Sequence, residues 1–210
     1  MRPKDGPVIL GLTGSIGMGK SATAAMFSKL GIPVHDADAA VHALYGPDGA
    51  AAAAIAKTFP GVLDPDGGVD RTRLRAAVLG DPDRMAALEG IVHPLVRAAS
   101  TAFLERHADA PLVVLDIPLL YETGGEGRCD AVAVVSAPPE VQRARVLARP
   151  GMDAAAFAAI LAKQMPDAEK RARADFVIDT SRGFPAAEAA VAAIVARLTE
   201  GRAAAPLTDG

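Results

Sequence analysis

Five short apolar runs punctuate the chain, each closing on a polar or acidic residue: Val8–Thr13, Pro33–Asp36, Leu112–Asp116, Ala131–Ser136 and Phe176–Asp179. Short continuous runs of this kind predict strands buried on both faces. Helical patterns separate them. The stretch Ala22–Leu30 can place Ala24, Phe27 and Leu30 on one face, with Gly31 as its stop. Alternation of strand and helix predicts an α/β fold with a five-stranded parallel sheet, helices on both faces and right-handed crossovers. Sheets of this class bind ligands beyond the carboxyl ends of their strands. Thr13, Asp36, Asp116, Ser136 and Asp179 stand at those ends.

The turn after the first run is Gly14-Ser15-Ile16-Gly17-Met18-Gly19-Lys20-Ser21. It fits G-x-x-x-x-G-K-[ST], the phosphate-binding P-loop, and it has the required strand before it and helix after it. Glycines let backbone N–H groups turn inward where a Cβ would intrude. Those groups and the positive end of the helix dipole then cradle phosphate oxygens. Lys20 is placed to reach the β- and γ-phosphates, and Ser21 to ligate Mg²⁺. The chain is expected to bind a nucleoside triphosphate.

A long interval, from about Asp38 to Pro111, parts the second and third strands. Ala50–Phe59, Asp70–Leu79 and Asp81–Ile91 read as helices, with Pro82 just inside the last start and Pro60–Gly68 as a turn-rich loop. This predicts a helical insertion, either an acceptor-binding subdomain or extra scaffold. After the fourth strand, Val141–Ala148 reads as a helix carrying Arg145 and Arg149 four residues apart. Pro150-Gly151 breaks it, Ala154–Gln164 forms a second helix, and the basic run Lys170-Arg171-Ala172-Arg173 follows. A hairpin flanked by arginines predicts a lid that closes over phosphate and excludes water; the alternative is a solvated basic face.

Composition narrows the partners. The net charge is −3, without the basic field of a nucleic-acid binder. The one cysteine, Cys129, has no internal disulfide partner. No apolar stretch of about 18 residues suggests a membrane span, and the N-terminus lacks a signal-peptide pattern. The expectation is a cytoplasmic protein acting on a small molecule, with no nucleic acid, membrane or obligate protein partner. Both termini, 1–7 and 201–210, read as flexible tails.

Phosphoryl transfer to an alcohol needs a group that orients the hydroxyl and takes its proton. Asp36-Ala37-Asp38 follows the second strand. Asp38 is the preferred base, and Asp36 a helper through Mg²⁺-bound water; capping of the next helix is the other use of either carboxylate. Asp116 closes Leu112-Val113-Val114-Leu115 in the Walker B manner, as a carboxylate for Mg²⁺ or its waters.

Taken together, these residues resemble dephospho-CoA kinases. The resemblance is carried by Leu12–Ser21, Asp36-Ala37-Asp38, Leu88-Glu89-Gly90-Ile91-Val92-His93-Pro94-Leu95-Val96 and Leu115-Asp116-Ile117-Pro118-Leu119-Leu120-Tyr121-Glu122. It continues through Gln142, Arg145, Arg149, Gln164 and Ala174–Asp179, so that it spans about residues 8–182. It implies ATP-dependent phosphorylation of the ribose 3′-hydroxyl of 3′-dephospho-CoA to give CoA and ADP, the last step of coenzyme A synthesis. The implied organisation is one P-loop NTPase kinase domain over 8–200, in three layers. Its acceptor-binding helical insertion is at about 40–110 and its helical lid at about 145–173.

Carried over residue by residue, Gly14, Gly17, Met18, Gly19, Lys20, Ser21 and Ala22 bind ATP, with Arg145 and Arg149 added from the lid. Lys20, Asp38 and Arg145 are the catalytic set, and Ser21 and Asp116 the Mg²⁺ set. Asp36, Asp38, His93, Pro118 and Leu119 mark the acceptor side. His93 either touches ligand or shapes a bend, since Pro94 biases it away from helical geometry. Ala22 stands where the family often has Thr, and Thr180 where Asn is common; both bear on nucleotide affinity, not on the reaction. The competing readings are weaker. Nucleoside monophosphate and shikimate kinases share the core but not the His-Pro and Pro-Leu-Leu-x-Glu motifs. A GTPase needs Asn-Lys-x-Asp, and the chain has no asparagine. A nucleic-acid-dependent ATPase would interleave aromatic and basic residues.

Overall fold

Four of the five expected strands keep their bounds: β1 (Val8–Thr13), β3 (Leu112–Asp116), β4 (Ala131–Ser136) and β5 (Phe176–Asp179). The remaining one, β2 (Val34–Asp36), starts one residue late, although the Pro33 carbonyl just before it accepts the Val114 N–H. Residues 6–201 are described in this computed structural model. Most of the expected tails, 1–7 and 201–210, lie outside the described residues. The helices are α1 (Lys20–Lys29), α2 (Ala37–Leu44), α3 (Ala52–Thr58), α4 (Arg71–Val78), α5 (Pro82–Arg106), α6 (Pro139–Leu147), α7 (Ala154–Leu161), α8 (Asp167–Arg173) and α9 (Phe184–Thr199).

The chain divides into two compact units. The first, Met1–His35 with His107–Gly210, carries the sheet, in the order β2-β3-β1-β4-β5. The β1–β3, β1–β4 and β4–β5 ladders are parallel. Side chains alternate between the two faces, as the pleat requires. Leu10, Leu12, Leu112, Val114, Ala133 and Val135 pack against Phe27 of α1 and Val191 and Ile194 of α9. On the opposite face, Val132 and Val134 pack with Leu120 and Tyr121. Both faces are therefore covered, and the strands read as nearly unbroken apolar runs. The register Leu12↔Asp116 sets the Walker-type carboxylate beside the start of the glycine loop.

The second unit, Asp36–Arg106, is helical. The long helix α5 packs against α2, α3 and α4. Ile55, Phe59, Val62, Leu74, Val78 and Val92 form its core. Asp70 caps α4 by accepting the Thr72 and Arg73 N–H groups. The expectation that the last helix ends at Ile91, and that Pro94 turns His93 away from helix, is corrected here. α5 runs through Pro94 to Arg106. A proline ring inside a helix presses on the carbonyl four residues before it. That residue is Gly90, where the space a Cβ would occupy is open. Leu88, Ile91, Leu95 and Val96 pack around Val92 on the same core, which offsets the lost hydrogen bond.

Candidate active site

The glycine loop takes the shape its composition allows. Gly17 and Gly19 hold φ of 79° and 96°, in the left-handed region that side chains disfavour. A Cβ on Gly14 would stand 2.6 Å from the Val135 carbonyl, and one on Gly17 would collide with Val146. α1 opens on Gly19 with no side-chain cap and no acidic residue in its first turn. Its first N–H groups thus lack the usual partners and face an incoming anion with the positive end of the dipole. Ser21 is exposed on this turn.

Lys20 Nζ lies 2.6 Å from Asp116 Oδ1, and Asp116 is 3% exposed. The two strand ends are tied further by the Thr13 hydroxyl, which donates to the Pro118 carbonyl at 3.0 Å. Leu119, next along, is 40% exposed. Thus β1 and β3 bring together the loop, its lysine, the buried carboxylate and the Pro118-Leu119 segment. Among the described residues, no group of three or more His, Cys, Asp or Glu side chains is arranged to hold a metal. Ser21 and Asp116 are the protein donors on offer. So small a set suits Mg²⁺, which keeps most of its ligands as water and substrate phosphate oxygens.

Beside the loop is a mainly apolar cleft of about 240 Å³. Its walls are Gly19 and Ala22 at the start of α1, Arg145 on α6, Thr180 and Gly183 after β5, and Phe184 on α9. Arg145 is fixed in place: Nη1 donates to Thr180 Oγ1 and Nη2 to the Thr180 carbonyl, both at 2.8 Å. The Thr180 hydroxyl in turn donates to the Met18 carbonyl at 2.7 Å. The preceding turn is braced by Asp179, which accepts the Ser181 hydroxyl and N–H. Those two bonds hold the Asp179 carboxyl below its ordinary range. Arg149 falls beyond the end of α6 and is exposed, so the helix itself carries only Arg145 of the pair. A phosphate cradle that opens onto an apolar cleft with a planar cation is built to take a nucleotide.

Residues 8–185 match the family model for dephospho-CoA kinase. The chain belongs to the dephospho-CoA kinase family. It is 60% identical over 193 residues to a dephospho-CoA kinase of Mesorhizobium japonicum, covering 91% of this chain and 96% of that one. A solved structure from Thermus thermophilus is 40% identical with a TM-score of 0.81, covering 92% of this chain and 99% of that one. The solved dephospho-CoA kinase of Campylobacter jejuni shares the fold at 23% identity and a TM-score of 0.64, covering 92% and 98% of the two chains.

The residues that the dephospho-CoA kinase resemblance places on the acceptor side lie partly in the helical unit. There Asp36 is the N-cap of α2: its Oδ1 accepts the Ala39 N–H at 2.9 Å. Capping occupies Oδ1 of this exposed carboxylate. Asp38 sits in the first turn of α2, exposed, with no hydrogen-bond or ion-pair partner among the described residues. His93 is exposed on α5.

The basic run after α7 departs from its expected role. Lys170 is fully buried, its Nζ 2.8 Å from Glu122 Oε1. Arg171 pairs with Asp167, and Arg173 pairs with Glu126 while lying 4.4 Å over the Tyr121 ring. Lys170 and Arg173 thus fasten α8 to the segment after β3, while the Arg171–Asp167 pair lies within α8 itself. Burial alone would raise the Glu122 carboxyl, but hydrogen bonds from Lys170 and from the Met165 N–H outweigh it and hold the group below its usual value. The signal for this pairing was the Glu of the Pro-Leu-Leu-x-Glu motif, whose buried charge requires a buried cation. Thr180, which the sequence marks only as a departure from asparagine, joins loop, cleft and arginine.

Proposed function

We propose that this chain transfers the γ-phosphoryl group of ATP to the ribose 3′-hydroxyl of 3′-dephospho-CoA, releasing ADP and CoA. The observation that carries the phosphotransfer is the Lys20–Asp116 contact at the uncapped head of α1. It holds an ammonium ready beside the loop until triphosphate arrives. The identity of the acceptor is supported by family membership.

In this reading the N–H groups of Gly17 to Ser21 and the α1 dipole bind the phosphates, and the adenine lies in the cleft beside Arg145 and Ala22. Lys20 moves from Asp116 to the β- and γ-phosphates and meets the charge that builds on them in the transition state. Ser21 and Asp116 would hold Mg²⁺, directly or through water; when bound, the ion draws charge from the β- and γ-oxygens. Asp38 accepts the proton of the attacking 3′-hydroxyl while its oxygen bonds to the γ-phosphorus and the bond to ADP breaks. Arg145 and Arg149 belong to a lid over about 145–173. His93, Pro118 and Leu119 mark the acceptor side, within the insertion at about 40–110 and the segment after β3. The reaction needs only small molecules, and no helix among the described residues is long and apolar enough to cross a membrane. Both are in keeping with a cytoplasmic site of action. The test incubates the pure protein with ATP, Mg²⁺ and a panel of alcohols, including dephospho-CoA, shikimate and nucleoside monophosphates. Phosphorylated dephospho-CoA alone, detected by mass, is expected; a phosphorylated product from another acceptor instead defeats the assignment.

A further inference from the structure

The outer side of the phosphate loop is as closely held as its inner side is open. Gln142, 6% exposed on α6, donates from Nε2 to the Ile16 carbonyl at 2.7 Å. Two residues on, the Met18 carbonyl accepts the Thr180 hydroxyl at 2.7 Å. The peptide before these is held as well, because the Ile16 N–H donates to Gln164 Oε1 at 3.1 Å. Three side chains far apart in sequence thus grip consecutive parts of one short loop.

The consequence follows from peptide geometry. A trans peptide is planar, and its C=O and N–H point in opposite directions. Holding the Ile16 carbonyl outward therefore aims the Gly17 N–H the other way, and holding the Met18 carbonyl does the same for the Gly19 N–H. Gly17 and Gly19 are also the loop residues at positive φ, where the backbone has the most freedom to turn. Without the outer grip, those two planes could rotate and present carbonyl oxygens to the phosphate instead.

We propose that Gln142 and Thr180 are positioning residues for the nucleotide phosphates, with Gln164 fixing the preceding peptide plane. They touch no reacting atom; they act by setting which face of the loop carries N–H groups. Gln142 lies on α6 and Gln164 just past the end of α7, so the same bonds tie both ends of the α6–α7 segment to the loop. This rests on the nucleotide-binding part of the proposed function and not on the acceptor.

The test compares Gln142→Leu, Gln164→Leu and Thr180→Val with Thr180→Ser, which keeps the hydroxyl. ADP affinity is measured by calorimetry without acceptor, alongside KM for ATP, kcat and the melting temperature of each free protein. Loss of one such bond is expected to weaken ADP binding and raise KM for ATP by about three- to tenfold. The change in kcat should stay within about twofold, the mark of lost uniform binding. Thr180→Ser should stay near wild type. Lowered melting temperatures with unchanged ADP affinity of the folded protein would make these residues merely structural and overturn the proposal; so would equal losses in Thr180→Val and Thr180→Ser. Should Gln142→Leu fail to fold, Gln164 and Thr180 are less buried and carry the test. A wild-type protein that binds ADP but phosphorylates no acceptor would sink the proposed reaction and leave this inference standing.

Discussion

The two units differ in how they treat polar groups. Of the eight buried polar or charged side chains among the described residues, seven belong to the sheet unit: Thr13, Ser15, Thr23, Asp116, Ser136, Gln142 and Lys170. The helical unit has one, Ser100. Its carboxylate of interest, Asp38, stands in water at the start of a short helix. Burying a polar group is costly unless each such group is paired, and paired groups are rigid. The sheet unit is therefore built to hold one geometry before its ligand arrives, which suits a phosphate cradle whose value lies in preorganisation. The helical unit has a mainly apolar core and leaves its chemical group exposed. An exposed carboxylate has little fixed direction until something binds. In the proposed mechanism the phosphate-binding residues belong to the first unit and the proton acceptor to the second, and each substitution below can break that division.

The largest effect is expected at Asp38. Asp38→Asn keeps the size but cannot take a proton, and turnover should fall by about 10²- to 10⁴-fold. ATP affinity and melting temperature should hardly move, because the side chain is exposed and unpartnered. Calorimetric titration with ATP beside steady-state rates decides it. A collapse in ATP affinity would make Asp38 part of the nucleotide site and end the division of labour.

Lys20→Ala should follow, with a loss in kcat of about 10²- to 10³-fold, the scale for one charge-stabilising group. Here ATP binding weakens too, since Lys20 meets ground-state phosphate as well. Near-normal turnover by the folded variant would remove the basis for reading Lys20–Asp116 as a poised pair.

How far this division could be read beforehand depends on where each signal lives. The strands were legible because both faces of the sheet are covered, so that Leu112–Asp116 and Ala131–Ser136 appear as unbroken apolar runs. The loop was legible because its glycines answer local steric demands. The course of α5 past Pro94 was not, since the tolerance at Gly90 and the packing of Val92 are tertiary facts. The burial of Lys170 was not legible either, since a run of charges such as Lys170-Arg171-Ala172-Arg173, whether read as a lid flank or as a solvated face, does not reveal which member turns inward. Thr180 donates to Met18, 162 positions away, and no local pattern encodes such a bond.

Glu122→Gln tests the pairing cost of the sheet unit directly. It leaves the Lys170 ammonium fully buried beside a neutral amide, and removing one partner of a buried pair costs about 3 kcal/mol or more. Denaturant unfolding should show that loss in Glu122→Gln, whereas Asp36→Asn, a change at an exposed cap, should lose about 1 kcal/mol or less. The pH dependence has a definite sign. Glu122 is held below its ordinary carboxyl value in the folded protein. Its contribution is therefore complete above the unfolded value and drains away as the pH falls through the folded one. Wild type should lose stability across that acid window, and Glu122→Gln should lose less. Parallel curves for the two proteins would mean the pair contributes nothing that titrates.

The smallest effect is expected at Arg145, and it is the most discriminating. Arg145 spends both of its terminal nitrogens on Thr180 and forms a wall of the cleft. Arg197, on α9, is exposed and lies over the Phe176 ring at 5.4 Å. Removing an exposed cation of that kind costs at most about 1 kcal/mol of stability and no activity. Arg145→Ala should raise KM for ATP and slow transfer by about tenfold in kcat/KM, an amount equivalent to ~1.4 kcal/mol. It should also blunt the protection against proteolysis that ATP gives within 147–173, because the guanidinium that ties α6 to the cleft is gone. The two arginines have the same charge, so the difference between them isolates position from charge. If Arg145→Ala and Arg197→Ala match in both turnover and protection, the rigid network around Thr180 is scaffold, and preorganisation in the sheet unit stops at the glycine loop.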